Sequence, residues 1–70
     1  MDGEAEAYEA ILHRMTALRL EHRDLDVAIA RMAASPGCDE LQLRRLKRRK
    51  LLLKDQMVWL ERQLDPDVPA

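Results

Sequence analysis

Core-type side chains recur at alternating intervals of three and four residues in two long stretches of the chain. This spacing is the a and d pattern of a coiled coil, in which one stripe of each helix faces a partner helix. It therefore predicts two amphipathic helices, and the two stripes together are referred to below as the seam. The first stripe consists of Tyr8, Ile11, Met15, Leu18, His22, Leu25, Ile29 and Met32, and the second of Leu43, Leu46, Lys50, Leu53, Met57, Leu60 and Leu64.

The segment between the two stripes predicts a tight reversal of the chain. Pro36 disfavours the helical conformation at Ser35, and Gly37 tolerates the left-handed conformation that often ends a helix. Asp39 follows as a start signal for the second helix, with Gln42 as its capping-box partner. We therefore predict an all-α protein, an antiparallel two-helix hairpin of coiled-coil type in one domain, residues 1–70. Its parts are a first helix over about 4–34, a turn over 35–38, a second helix over about 39–64 and a disordered tail over 65–70.

Folding the chain at this turn brings the two stripes into register. Residues at a positions then face each other when their numbers add to 72, and residues at d positions when their numbers add to 71. The flanking positions test this register, because opposite charges that face each other favour it. Two flanking pairs are opposite in charge, Glu21 with Arg49 and Asp26 with Lys47, whereas Arg19 with Lys54 is a pair of like charges.

Two polar residues interrupt the apolar seam, and the register places them opposite each other: His22 and Lys50. A polar layer lowers the stability of a coiled coil while it fixes register and oligomeric state. Lys50 can extend its ammonium towards Glu21, and Asp26 follows His22 by one helical turn. We interpret these four residues as a register device. The alternative is a pH-dependent switch at His22.

A second apolar surface lies on helix 2, on the sides that face away from helix 1. Exposed patches of this kind mark contacts with other molecules, and Trp is enriched at the centre of interfaces. We therefore predict a homo-oligomeric helical bundle, a dimer or a tetramer, with Trp59 and Leu52 as its anchor. The alternative occupant is a helical segment of another protein. The predicted interface comprises Leu41, Leu51, Leu52, Val58 and Trp59.

Length and composition support self-association. With 70 residues, of which 47% are hydrophobic and only 3% aromatic, the chain can build only a thin core by itself. A net charge of −1 selects neither nucleic acid nor a membrane. The chain begins without the features of a secretory signal and has no apolar stretch of about 18 residues. Its one cysteine, Cys38, cannot form an internal disulfide, so we expect a cytoplasmic protein.

Six basic residues occur within the seven positions from 44 to 50, a run that can contact phosphates. On a helix, however, these side chains surround the axis instead of forming one basic face. We therefore favour a solvated, ion-paired surface over nucleic-acid contact. The alternative function is an oligomeric nucleic-acid-binding accessory protein that uses the three bases pointing outward, Arg44, Arg45 and Arg48.

The residues offer no catalytic set. Cys38 has no base nearby in the hairpin, because His13 and His22 lie on the other helix far from the turn. The two histidines are nine residues apart and do not have the spacing of chelating ligands on one helix face. We expect a non-enzymatic structural or protein-interaction module with no cofactor, no metal, no small-molecule substrate and no membrane contact.

Two segments carry a family resemblance, LRLEHRDLDVAIAR at residues 18–31 and LKRRKLLLKDQ at residues 46–56. Together they resemble the YdcH family of small bacterial proteins, a family of unknown function described as coiled coil. The resemblance covers about residues 11–60 and includes His22 and Lys50. It implies a short, cytoplasmic, bacterial helical protein, and it implies no activity, ligand or catalytic residue.

Overall fold

A computed structural model of the protein describes residues 2–64, which form two α-helices joined by a short turn. Helix α1 spans Asp2–Ala34 and helix α2 spans Glu40–Leu64. The helices pack against each other as a hairpin, which confirms the predicted all-α fold. Neither helix in this part of the chain is long and apolar enough to cross a membrane. The predicted disordered tail, 65–70, lies outside the described residues.

The turn has the local structure that its residues predict. Past the end of α1, the backbone N–H of Ser35 donates to the carbonyl of Met32 at 3.1 Å, and its hydroxyl donates to the carbonyl of Arg31 at 2.9 Å. Gly37 then takes a φ of 71°, in the left-handed region that a side chain disfavours. Because a Cβ at Gly37 would meet no atom within 4 Å, the backbone conformation and not the available space requires glycine here.

Asp39 caps α2. Its Oδ1 accepts hydrogen bonds from the backbone N–H groups of Leu41 at 3.0 Å and Gln42 at 3.2 Å, and its own carbonyl accepts from Leu43 at 3.0 Å. Asp39 is thus the N-cap and Glu40 the first helical residue, one residue later than predicted. Among the described residues, the reciprocal bond from the Gln42 side chain does not form, so only half of the capping box is present.

The core of the hairpin lies along the seam. Its fully buried side chains among residues 2–64 are Met15, Leu18 and Leu53, which are 0–2% exposed. The other seam residues are half-buried, with the exception of Tyr8, which is 53% exposed. Tyr8 was predicted to lie in the seam opposite Leu64, but more than half of its side chain is exposed. Leu64 is the last described residue of α2, so Tyr8 lies at the open end of the hairpin, away from the three buried side chains.

Two contacts between the helices agree with the predicted register. Arg49 forms an ion pair with Glu21 at 3.2 Å, and Arg14 donates a long hydrogen bond of 3.5 Å to Oε1 of Gln56. In both pairs the residue numbers add to 70, as the register requires for residues on this edge of the seam. The same alignment of the helices therefore holds across two heptads.

Candidate interaction site

Asp26 connects the two polar residues of the seam. The Lys50 ammonium forms an ion pair with Oδ1 of Asp26, and Nδ1 of His22 lies 3.7 Å from Oδ2 of the same carboxylate. The predicted proximity of His22 and Asp26, one helical turn apart, is thereby confirmed. The four residues predicted for the polar layer do lie together, but their pairing differs from the prediction.

The partner of Lys50 was predicted wrongly. Lys50 was expected to reach towards Glu21, and Asp26 was expected to face Lys47. In the structure Glu21 is paired with Arg49, and Lys50 pairs with Asp26 on the opposite edge of the seam. Because Lys50 lies within the seam, its long stem can reach either edge, and Arg49 already satisfies the carboxylate on one of them.

The Lys50 ammonium lowers the pKa of Asp26 from its ordinary value of 3.8, chiefly by donating a hydrogen bond to the carboxylate. Partial removal of the carboxylate from water acts in the opposite direction. The positive charge of Lys50, and that of His22 when protonated, then lower the pKa further. Asp26 is therefore held in its charged form by a group that belongs to the other helix.

His22 is the least satisfied member of this cluster. Its side chain is 23% exposed, yet its Nε2 is buried and has no hydrogen-bond partner among the described protein atoms. A buried polar atom without a partner lowers the stability of the fold. His22 is therefore expected to lower the free energy of unfolding. Polar residues that specify the alignment of a coiled coil have the same effect.

All five residues predicted for the interface lie on the surface of α2. They are the exposed large apolar residues of this helix, between 40% and 63% exposed. Their role in an interface stays a prediction, but the exposure on which that prediction depends is present. The five are Leu41, Leu51, Leu52, Val58 and Trp59.

The side of α2 opposite the seam has a second stripe with the same alternating spacing of four and three residues. Every residue of this outer stripe is exposed. Three of its residues are apolar and four are charged. Asp55 and Arg62 were not predicted as part of this surface. Their spacing could have identified them, because they continue the same helical face. The outer stripe consists of Leu41, Arg45, Arg48, Leu52, Asp55, Trp59 and Arg62.

Trp59 lies in an open groove between the two helices, with a volume of about 420 Å³. Asp55, Gln56 and Leu60 line it from α2, and Arg14 reaches it from α1. The contribution of Arg14 was not predicted. It follows from the hydrogen bond that holds Arg14 against Gln56 across the seam. The groove therefore places an exposed aromatic ring next to a carboxylate and a guanidinium.

The predicted outward bases, Arg44, Arg45 and Arg48, are exposed. Two of the other three bases of the run, Arg49 and Lys50, form ion pairs with α1. Cys38 is a half-buried free thiol in the turn. Residues 2–64 contain no group of three His, Cys, Asp or Glu side chains that could hold a metal ion.

These features define the class of the protein as an antiparallel helical hairpin of coiled-coil type. The chain belongs to the DUF465 family, described as a protein of unknown function, which it matches over residues 15–61. Because the YdcH family is part of DUF465, the resemblance found in the sequence is confirmed. Neither a curated protein nor a solved structure matches the chain. The matched range includes the buried core, the polar layer and Trp59.

Proposed function

We propose that this protein is a non-enzymatic structural or protein-interaction module that associates with itself through the outer face of α2. The observation that carries the proposal is the distribution of apolar side chains. Three are fully buried in the described hairpin, whereas five large apolar residues of α2 alone are exposed. Burying them between copies of the chain would add the hydrophobic contact that a single hairpin of this size lacks.

The proposed assembly is a dimer or tetramer in which each hairpin contributes one or both of its helices to a bundle. Trp59 is its anchor, because it is 60% exposed and lines the open groove to which Arg14 also contributes. The proposal includes a cytoplasmic location, which the single cysteine favours. A helical segment of another protein is the competing occupant of the same face.

The test is the mass of the protein in solution, measured by light scattering at two protein concentrations and two salt concentrations. We expect the parent to be a dimer or larger and Trp59→Ala to have a lower mass at the same concentration. Tyr8→Ala is the matched control, because Tyr8 is also an exposed aromatic residue but lies on α1. A monomeric parent would contradict self-association, and an unchanged mass for Trp59→Ala would contradict its role as anchor.

A second candidate function, contact with nucleic acid, rests on the three exposed bases Arg44, Arg45 and Arg48. Within residues 2–64 none of them is engaged in an ion pair, in contrast to Arg49. Binding to duplex DNA that falls steeply as salt increases would support this function, because phosphate contacts release counterions. Self-association through apolar groups would instead change little with salt. The two functions are therefore separable in one salt series.

A further inference from the structure

The outer stripe of α2 has different chemistry at its two ends. The half nearer the turn contains two bases, Arg45 and Arg48, whereas the other half contains a carboxylate, an aromatic ring and one base, at Asp55, Trp59 and Arg62. Leu52 lies between the two halves and is 48% exposed. The carboxylate and the aromatic ring of one copy meet the two bases of another copy only when the two copies run in opposite directions.

We propose that two copies of the chain pair through their outer stripes in antiparallel orientation, about a twofold axis near Leu52. This inference rests on the proposed self-association and adds to it the orientation and the alignment of the partners. The occupant of the apolar surface is therefore a second copy of α2, and the two α1 helices lie on the outside of the pair.

The alignment follows from the spacing of the stripe. With the axis at Leu52, Arg48 of one copy faces Asp55 of the other, and Arg45 lies beside Trp59 of the other. The first contact is an ion pair and the second places a guanidinium against an aromatic face. Because a twofold axis repeats every contact, each is made twice, on either side of the two Leu52 side chains.

Other alignments place like charges together. In a parallel pair each residue meets its own copy, so that Arg48 faces Arg48 and Asp55 faces Asp55. An antiparallel pair shifted by one heptad in either direction brings Arg48 against Arg48 or Asp55 against Asp55. Like charges that face each other across an interface oppose the wrong arrangement. The charges thus select one orientation, while the apolar groups supply the attraction.

The two charges that decide the alignment are available for this contact. Within residues 2–64, neither Arg48 nor Asp55 forms a hydrogen bond or ion pair through its side chain. Glu21 and Asp26, the carboxylates beside the seam, differ from Asp55 because both form ion pairs inside the hairpin. Asp55 is therefore a carboxylate on the back of α2 whose complement within the outer stripe is a basic residue of a second copy.

The first experiment exchanges the two charges. We expect Arg48→Asp and Asp55→Arg each to raise the dissociation constant of the dimer about tenfold or more, because two attractive pairs become repulsive. The double variant restores both pairs with reversed polarity and should return the dissociation constant to within a few fold of the parent. Arg23→Asp, an exposed charge reversal on α1, is the control for a general charge effect. Sedimentation equilibrium measures all five proteins, and circular dichroism verifies that each is folded.

The second experiment reads the orientation directly, in a Cys38→Ser background that removes the one native thiol. Leu52→Cys should form a disulfide-linked dimer on mild oxidation, because the axis brings the two thiols together. Leu41→Cys should stay unlinked, because an antiparallel pair separates its two copies by about 33 Å at 1.5 Å per residue, far beyond the reach of a disulfide. In a parallel pair Leu41→Cys would link as readily as Leu52→Cys.

The outcomes separate this inference from the proposed function. If the parent is a dimer that Trp59→Ala weakens, but the charge exchange fails to restore pairing or Leu41→Cys becomes linked, the antiparallel alignment is wrong and the interface stands. If the parent is a monomer, the self-association itself is wrong. Recovery in the double variant together with linkage only at Leu52 would establish the alignment.

Discussion

Two neighbouring regions of the same seam differ in what they do for the hairpin. Leu18 and Leu53 are fully buried, whereas His22 and Lys50, which lie one helical turn nearer the loop, keep 23% and 36% of their side-chain surface exposed. Both regions follow the same spacing of three and four residues. Side-chain chemistry therefore divides the seam into an apolar part that is fully buried and a polar part that stays partly exposed, which we interpret as the register device.

The comparison also shows why the polar part does not disrupt the fold. Lys50 carries its charge out of the seam to Asp26, and Arg49 pairs with Glu21 on the other edge. These ion pairs are partly exposed, so each adds little stability, but together they favour one alignment of the helices. The apolar part has no such selectivity, because Leu and Met pack acceptably in shifted registers.

The largest effect is expected in the apolar part. Leu18→Ala should lower the free energy of unfolding by about 2–5 kcal/mol, because it removes a fully buried side chain and leaves a cavity. Leu20→Ala is the matched control, since Leu20 is on the same helix but 57% exposed, and it should change stability by no more than about 0.5 kcal/mol. Urea denaturation followed by circular dichroism measures both. Equal losses for the two variants would show that the core is not where the structure places it.

An intermediate effect of opposite sign is expected at His22. His22→Leu removes the buried Nε2 that lacks a partner and should raise the free energy of unfolding by about 1 kcal/mol. It should also broaden the distribution of oligomers, because the seam loses a polar residue that we interpret as fixing the register. His13→Leu, an exposed histidine on α1, serves as control and should show neither change. If His22→Leu formed the same single oligomer as the parent with the same stability, the register role of His22 would be contradicted.

The smallest effect concerns the corrected partner of Asp26. Lys50→Met removes the hydrogen bond that lowers the pKa of Asp26, so this pKa should rise towards its ordinary value. Lys47→Met, the partner expected from the sequence, should leave the pKa unchanged. A carboxyl carbon titration by NMR distinguishes them. A group with a lowered pKa stabilises the fold above its unfolded value, so the contribution of Asp26 should fade as the pH falls through its folded pKa.

The combination of apolar spacing, turn residues and flanking charges was sufficient to predict both helices, the turn and the alignment of the seam. It worked because a hairpin with one turn has few competing arrangements, and Pro36 and Gly37 leave little freedom in that turn. The spacing was misleading at Tyr8, which lies opposite the last described residue of α2 and is 53% exposed. Periodicity describes one helix at a time and does not indicate how much of a side chain the partner helix covers at the open end of a hairpin.

The pairing of polar side chains was harder to predict. Lys50 has several rotatable bonds and can reach carboxylates on either edge of the seam, so helical position does not determine its partner. In the structure Glu21 is paired with Arg49, and Lys50 pairs with Asp26. Asp55 was missed for another reason, because the apolar surface and the outward bases of α2 were interpreted as two separate features. Its position on the outer stripe is visible only when apolar and charged residues are considered together.

The location of Cys38 in the turn has a practical consequence for spectroscopy. As the one cysteine of a chain that also has one tryptophan, it allows a dye to be attached at a single place and to receive energy from a single indole. Within one hairpin the dye and Trp59 are separated by about 30 Å along α2 at 1.5 Å per residue. In the antiparallel pair, the dye of the second copy would come within about 10 Å of Trp59 along the same axis. Energy transfer from Trp59 of one chain to a dye on Cys38 of the other therefore reports the orientation of the two chains without any substitution.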